Sequence, residues 1–387
     1  MIGSLLQRYG WELLHEPDRL RLLVEHHCDQ HSLPKPSQES WLPVQERWLL
    51  GWPERGSAAF LDRYRGLRTG LLQSLGSGSV EGWLDHLPAI TVMPAPRSEV
   101  DVGQGPGRQP NLVEALARLG WGGRLVLDEN PQLLPPVTES ELYISGEEER
   151  PTPLELGQAR WPRGWLRLEN LTLSGELEIA GGLVELRRCT LQSGAQLRVC
   201  GPGAVLVLDH SDLYGEVEAQ ACTLLQVCHS TFEGAAIGLE SAGLTRLEGV
   251  AFRQHTQAAL VLRERSRALF EDCQLSESGL GLRISGQSRA WLRQSWLRAN
   301  HQIGVLAEDD ASLKMEGCHV RSNRSDGLWL RGRSHLRLSG STVQDNQGAG
   351  VRYTDQVTLE QDGNQVVRNV LGDWLDTAGP SRHPTRP

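Results

Sequence analysis

From Val184 onward, apolar and polar positions alternate in a pattern that returns about every 22 residues. A ladder of large apolar residues runs Leu191, Leu213, Phe232, Phe252, Leu275, Leu297, Val320, Val343 and Val366, with steps of 22, 19, 20, 23, 22, 23, 23 and 23. Two residues before each rung stands a mostly small one: Cys189, Ser211, Ser230, Val250, Cys273, Ser295, Cys318, Ser341 and Asn364. Three residues earlier again come Leu186, Leu208, Val227, Leu247, Phe270, Leu292, Met315 and Leu338. Residues an even number apart on a strand share a face. A turn then brings the small residue and the next rung inward. A repeat of this length is too short for a helix pair and suits a strand–turn coil that cannot bury its apolar face alone. Stacking such coils ~4.8 Å apart aligns equal positions into columns and buries a continuous core.

The turns repeat as well. Asn300, Asn323, Asn346 and Asn369 are 23 apart, and so are Gly281, Gly304, Gly327 and Gly350. Asparagine tolerates left-handed backbone and can hydrogen-bond to a stacked neighbour's amide. An asparagine ladder at a sharp turn resembles that of the right-handed β-helix superfamily that includes pectate lyases. Leucine-rich repeats have a similar period, but their LxxLxLxxN pattern is absent. The resemblance implies a mainly β protein, a right-handed parallel β-helix built as a single-stranded solenoid of about nine or ten coils. Asn111 and the following LVEALARLG read as a short amphipathic helix, succeeded by strands RLVLDE and ELYISG. In this superfamily such a helix covers the otherwise exposed end of the core.

Residues 1–90 read as a small α-helical domain. Leu13, Leu14, Leu20, Leu23 and Val24 recur at three- and four-residue steps, and Pro17-Asp18 can open a second helix. Further helices are expected around Trp48 and Leu49 and from Phe60 to Leu75. The run RYGxELLxxPxRLxxLL resembles small helical adaptor modules of multidomain bacterial proteins. Residues 91–110, rich in Pro and Gly, read as a linker. The β-helix is expected over 111–372, and 373–387 as a disordered tail.

Composition agrees with this division. Forty-two glycines and 5% aromatics in 387 residues fit a turn-rich, strand-rich body. A formal charge of −9 gives no general pull toward nucleic acid or anionic membrane, and neither is expected as a partner. No run approaches the ~18 apolar residues of a membrane span, and the start lacks a basic stretch followed by an apolar one, so a cytoplasmic protein is expected. Seven cysteines without a CxxC pair read as reduced thiols, with Cys189, Cys273 and Cys318 in the inward column.

The superfamily resemblance implies carbohydrate-active enzymes, whose residues are largely missing. Of the polygalacturonase-like set (Asn-Thr-Asp, Asp-Asp, Gly-His-Gly, Arg-x-Lys) only Asp309-Asp310 is present, in a polar turn where solvation is the commoner role. The Asp-Pro-His-Asp of alginate-epimerase-like relatives does not occur. Lyase chemistry needs a calcium-binding carboxylate cluster and an arginine or lysine base. Outward positions do gather Asp209, Asp212, Glu248, Glu271, Asp272 and Glu316, but Arg187, Arg188 and Arg293 share those columns, as on a mixed-charge solvated face. His26, His27, Cys28 and His31 fit a polar helix terminus better than a metal site. No catalytic residue, metal or cofactor is therefore expected.

By strand parity Trp291, Arg293, Trp296 and Trp329 point outward, with Trp329 on a different strand from the other two tryptophans. Trp and Arg are enriched at interfaces, and Trp also stacks on sugar rings. The residues thus favour a non-catalytic recognition or scaffold surface whose partner is another protein. The alternatives are a polysaccharide lyase, epimerase or hydrolase, or a sugar-binding β-helix with carbohydrate as ligand.

Overall fold

The computed structural model describes residues 98–377, apart from 120–122, 137–139, 148–150, 202–203, 222 and 355. The helical domain expected over 1–90 and the last ten residues of the expected tail lie outside them. Two compact units divide the chain, one reaching Asp212 and including Val217–Gln226, the other comprising Leu213–Glu216 and the chain from Val227.

In the first unit, strands Glu99–Val102, Arg124–Leu127, Ser140–Ser145, Gly164–Glu169, Leu183–Arg187 and Val205–Asp209 pair in that order, all parallel. This is face 1. Alternation decides which side is buried: Leu125, Leu127, Leu142, Ile144, Leu166, Leu168, Val184, Leu186, Leu206 and Leu208 are at most 1% exposed and fill the interior. Opposite them, Thr152–Trp161 pairs with Leu171–Ile179, which in turn pairs with both Thr190–Leu191 and Gln196–Val199. One long strand thereby becomes two, and later coils have three faces.

The first strand, Glu99–Val102, falls inside the segment read as a linker. Four residues between Pro- and Gly-rich flanks carry too little periodicity to stand out, and pairing with Arg124–Leu127 makes them a strand. The expected helix follows as α1 (Leu112–Arg118), with the Asn111 side chain accepting from the Glu114 amide at 2.9 Å and Leu112 and Ala115 buried. Among the described residues α1 packs closely against Glu99–Val102.

The second unit is more regular. Face 1 holds Leu244–Glu248, Arg267–Glu271, Arg289–Arg293, Ser312–Glu316, His335–Ser339 and Thr358–Asp362. Face 2 runs from Thr231–Glu233 through Gln274–Ser276, Trp296–Arg298 and His319–Arg321 to Gln365–Val367. Face 3 runs from Ile237–Ser241 through Leu280–Ile284, Val305–Ala307, Leu328–Leu330 and Val351–Tyr353 to Trp374–Asp376. The last of these strands lies in the segment expected to be a tail. Among the described residues, strands of the face 1 kind number thirteen, more than the nine or ten coils expected. The early coils are unevenly spaced, so no constant period announces them.

The register sets Phe232, Phe252, Leu275, Leu297, Val320, Val343 and Val366 directly over one another, as their spacing predicts. From Phe232 to Val343 these rungs are 0% exposed, and the two phenylalanine rings stack at 4.6 Å. The residue leaving face 1 is left-handed in coil after coil: Asn170, Arg188, His210, His229, Gly249, Asp272, Gln294, Gly317, Gly340 and Gly363 have φ between 47° and 61°. A second left-handed corner holds Gln254, Glu277, Ala299, Ser322, Asp345 and Arg368.

That corner corrects one reason given for the asparagines. The left-handed residue is the one before each asparagine, and the asparagines serve as hydrogen-bonding posts. Asn300, Asn323 and Asn346 each donate their amide to the next asparagine's Oδ1 at 3.0–3.1 Å, and their Nδ2 reaches the same oxygen at 2.9 Å. Each Nδ2 also donates back to a strand carbonyl: those of Leu275, Leu297 and Val320. The buried turn is thus satisfied without water.

Candidate functional site

The four residues singled out by parity lie on three faces. Trp291 and Arg293 belong to face 1, where Ala290 and Leu292 fill the interior and Trp291 projects outward. Lys314 Nζ at 4.1 Å and the Arg293 guanidinium at 5.1 Å lie over its ring, and Trp291 is only 7% exposed. Its direction agrees with the parity argument, but its availability does not, because long cationic side chains from its own and the next strand cover the indole. Trp296, on face 2, stacks on His319 of the next coil at 4.1 Å, with Arg321 at 5.0 Å.

Trp329, on face 3, has the richest setting. Register aligns Arg283, Leu306, Trp329 and Arg352 in one outward column. The guanidiniums of Arg331 and Arg352 sit 5.3 Å and 5.5 Å from the Trp329 ring centroid. Two buried carboxylates hold the arginines in place. Glu308, 6% exposed, accepts from Arg283 Nε at 2.8 Å and pairs with Arg331. Asp326, 1% exposed, lies 3.1 Å from Arg352 Nε and accepts from the Ala349 amide at 2.7 Å. The structure therefore separates Trp329 from the other named residues and joins it to Arg283, Leu306, Arg331 and Arg352. That grouping was legible as a spacing: 283, 306, 329 and 352 are 23 apart. Glu308 and Asp326 had no such signal, because their burial depends on the coil above.

Most of the acids considered for lyase chemistry lie beside basic side chains or at turns. Glu248 lies 3.0 Å from Arg246, Glu271 3.4 Å from Arg293, Glu316 3.0 Å from Lys314, and Asp209 2.7 Å from His210 Nδ1. Asp212 stands exposed on the short strand Asp212–Leu213, and Asp272 is one of the left-handed corners. Asp309 accepts from the Gly286 amide at 2.9 Å, while Asp310 pairs with Arg333 at 2.7 Å. The pair thus caps a turn. Burial pushes the thiols of Cys189 and Cys273 up to about 12 and that of Cys318 up to about 11, which leaves them protonated and unreactive. His26, His27, Cys28 and His31 lie outside the described residues. No helix among the described residues is long and apolar enough to cross a membrane.

Among curated proteins none matches this sequence. The family model described as right handed beta helix region matches residues 235–381. Among solved structures, a mutant of the periplasmic alginate epimerase AlgG is similar at 13% identity and a TM-score of 0.42, covering 64% of this chain; the chain spans 63% of that protein's length. The A-module of the Azotobacter vinelandii mannuronan C-5 epimerase AlgE6 is similar at 12% identity and a TM-score of 0.43, over 70% of this chain and 94% of that one. Pectate lyase Pel9A is similar at 10% identity and a TM-score of 0.28, over 69% of this chain and 77% of that one. These neighbours are carbohydrate-active enzymes at low identity. With their parallel register and stacked columns, the described residues fold as a right-handed parallel β-helix, and the family model matches its later coils.

Proposed function

We propose that face 3 around Trp329 is a non-catalytic recognition surface that docks a protein partner in the cytoplasm. The observation that carries this reading is the column Arg283–Leu306–Trp329–Arg352, with its guanidiniums fixed by the buried Glu308 and Asp326. Trp and Arg are the residue types that dominate interface energetics. Arginines already held by carboxylates lose little further freedom on binding, which lowers the entropic cost of association. The partner that fits offers an apolar anchor for Trp329 and carboxylates for the arginine rim.

Affinity capture with the full-length chain tests this. Trp329→Ala weakens the captured complex by about 2 kcal/mol or more, roughly 30-fold. Trp296→Ala on face 2 leaves it unchanged, and both variants keep the wild-type circular dichroism. A glycan array that binds in a Trp329-dependent way, with no protein captured, replaces this reading with sugar binding. Release of product from a panel of acidic polysaccharides replaces it with an enzyme.

A further inference from the structure

Each face 2 strand of the second unit turns its middle residue inward, so the residues on either side of it project outward. The register stacks them into two columns. One runs Arg253, Ser276, Arg298, Arg321 and Gln344, the other Ala251, Gln274, Trp296, His319 and Thr342. Arg298 and Arg321 are therefore direct neighbours, on strands ~4.8 Å apart. Elsewhere in this unit an acid accompanies the outward arginines. Arg246 has Glu248, Arg263 has Glu240, Arg293 has Glu271, Arg333 has Asp310 and Arg352 has Asp326. Among the described residues no carboxylate oxygen lies within 4.0 Å of a nitrogen of Arg298 or Arg321.

Both guanidiniums are nonetheless held, by uncharged groups. With its amide turned to suit its neighbours, Gln274 offers its oxygen to Arg298 Nε at 2.9 Å and Nη2 at 2.6 Å. Arg321 lies over the Trp296 ring at 5.0 Å, and that ring stacks on His319 at 4.1 Å. These partners fix direction without cancelling charge. The corner residues that follow the column read Glu277, Ala299, Ser322 and Asp345, so a carboxylate stands one coil before the pair and one coil after it. Each is engaged: Glu277 accepts from Gln254 at 3.5 Å, and Asp345 accepts from Arg368 Nε and Nη2 at 2.7 and 2.8 Å.

We infer that Arg298 and Arg321 form an anion-binding site on face 2 for a short acidic peptide segment, a few neighbouring carboxylates with neutral flanks. Forked guanidinium donors match carboxylates, and an anion between two stacked cations also relieves their mutual repulsion. Because both arginines are already directed, little freedom is lost on binding. Glu277, Asp345 and the formal charge of −9 oppose a long polyanion such as nucleic acid. Alternate side chains of an extended peptide leave its backbone ~6.6 Å apart, and flexible glutamates span the difference to cations ~4.8 Å apart. The site lies on a different face from Trp329 and takes a different ligand, so it stands or falls independently of the recognition role given to face 3.

Fluorescence anisotropy tests it, with a labelled peptide of consecutive glutamates flanked by Gly-Ser repeats titrated with the full-length chain at low ionic strength. The acidic peptide is expected to bind, and its glutamine counterpart is not. Arg298→Gln combined with Arg321→Gln weakens binding at least ~10-fold. Trp329→Ala on face 3 and Arg337→Gln on face 1 leave it unchanged. Gln344→Glu, a near-isosteric change beside Arg321 in the column, supplies the missing acid and weakens binding ~3-fold. That variant decides should the double one not fold. A wild type that does not bind the peptide overturns the proposal, as does binding that survives the arginine changes or Gln344→Glu. Equal binding of the glutamine peptide overturns it too. Loss of binding in Trp329→Ala moves the acidic segment to face 3, and tighter binding of an oligothymidylate makes nucleic acid the ligand; either outcome sinks the assignment.

Discussion

His255 and Ser278 open the inner-turn column that Asn300, Asn323, Asn346 and Asn369 continue. The His255 amide donates to Ser278 Oγ, and the Ser278 amide to Asn300 Oδ1. His255 Nε2 lies 3.2 Å from the Phe232 carbonyl, in the role that Asn300 Nδ2 has toward Leu275, and Nδ1 lies 3.2 Å from the Ala235 carbonyl. Burial pushes its pKa below 6.5, while the two carbonyls and Glu233 pull the other way. A depressed histidine pKa means that the unfolded chain takes up the proton first. The stability it contributes is complete above about pH 6.5 and falls as the pH drops toward the folded-state value. His255→Asn keeps a donor for Phe232 and loses the titrating group, so urea unfolding midpoints compared at pH 7.5 and 5.5 are expected to differ less than in the wild type. Asn323→Ala is costlier. It leaves the Asn300 amide and the Leu297 carbonyl without their partner and is expected to lower the unfolding free energy by about 2–4 kcal/mol.

Elements show how much a repeat reveals. The glycines 281, 304, 327 and 350 stood out by spacing, and the structure supplies the reason. A Cβ on Gly327 would lie 2.7 Å from the Gly350 carbonyl and 2.8 Å from both Asn346 Nδ2 and Val343 Cγ1, so the coils have no room for a methyl. Gly327→Ala is expected to cost about 1–3 kcal/mol by urea unfolding, through overpacking. Gly363 has φ +60° and open space where a Cβ would go, so Gly363→Ala carries only the left-handed penalty of about 1 kcal/mol. The left-handed corners at Arg188, His210, Gln294 and Ala299 were not legible, because those residue types do not mark them, whereas Gly317, Gly340 and Gly363 recur 23 apart. Parallel pairing on both sides fixes these residues' backbone, and the penalty is carried by the columns they connect.

At the scale of the molecule, a stack of coils transmits effects mainly to its neighbours. Leu275→Ala is expected to cost about 2–5 kcal/mol, as other buried leucines do. Leu275 and Val343 are three coils apart, ~14 Å, and share no partner, so Leu275→Ala and Val343→Ala should add to within about 0.5 kcal/mol. Leu275 and Leu297 lie directly over one another, and their double variant should depart from additivity. A double-mutant cycle in urea measures both; strong coupling between Leu275 and Val343 would mean that this stretch unfolds as one indivisible block.

The sequence by itself determined the columns. A period near 22 with fixed apolar, small and asparagine positions admits one economical arrangement, parallel coils in register, because only stacking buries those residues and satisfies their turns. What only the tertiary structure decided is which outward residues are available and with whom. Parity along a strand is local and gave the direction of Trp291, Trp296 and Trp329. Their assignment to three faces rests on corners without a sequence mark, and the covering of Trp291 by Lys314, like the holding of Arg352 by Asp326, depends on side chains 23 and 26 positions away. Exposure and charge pairing belong to the stack, and no single coil contains them.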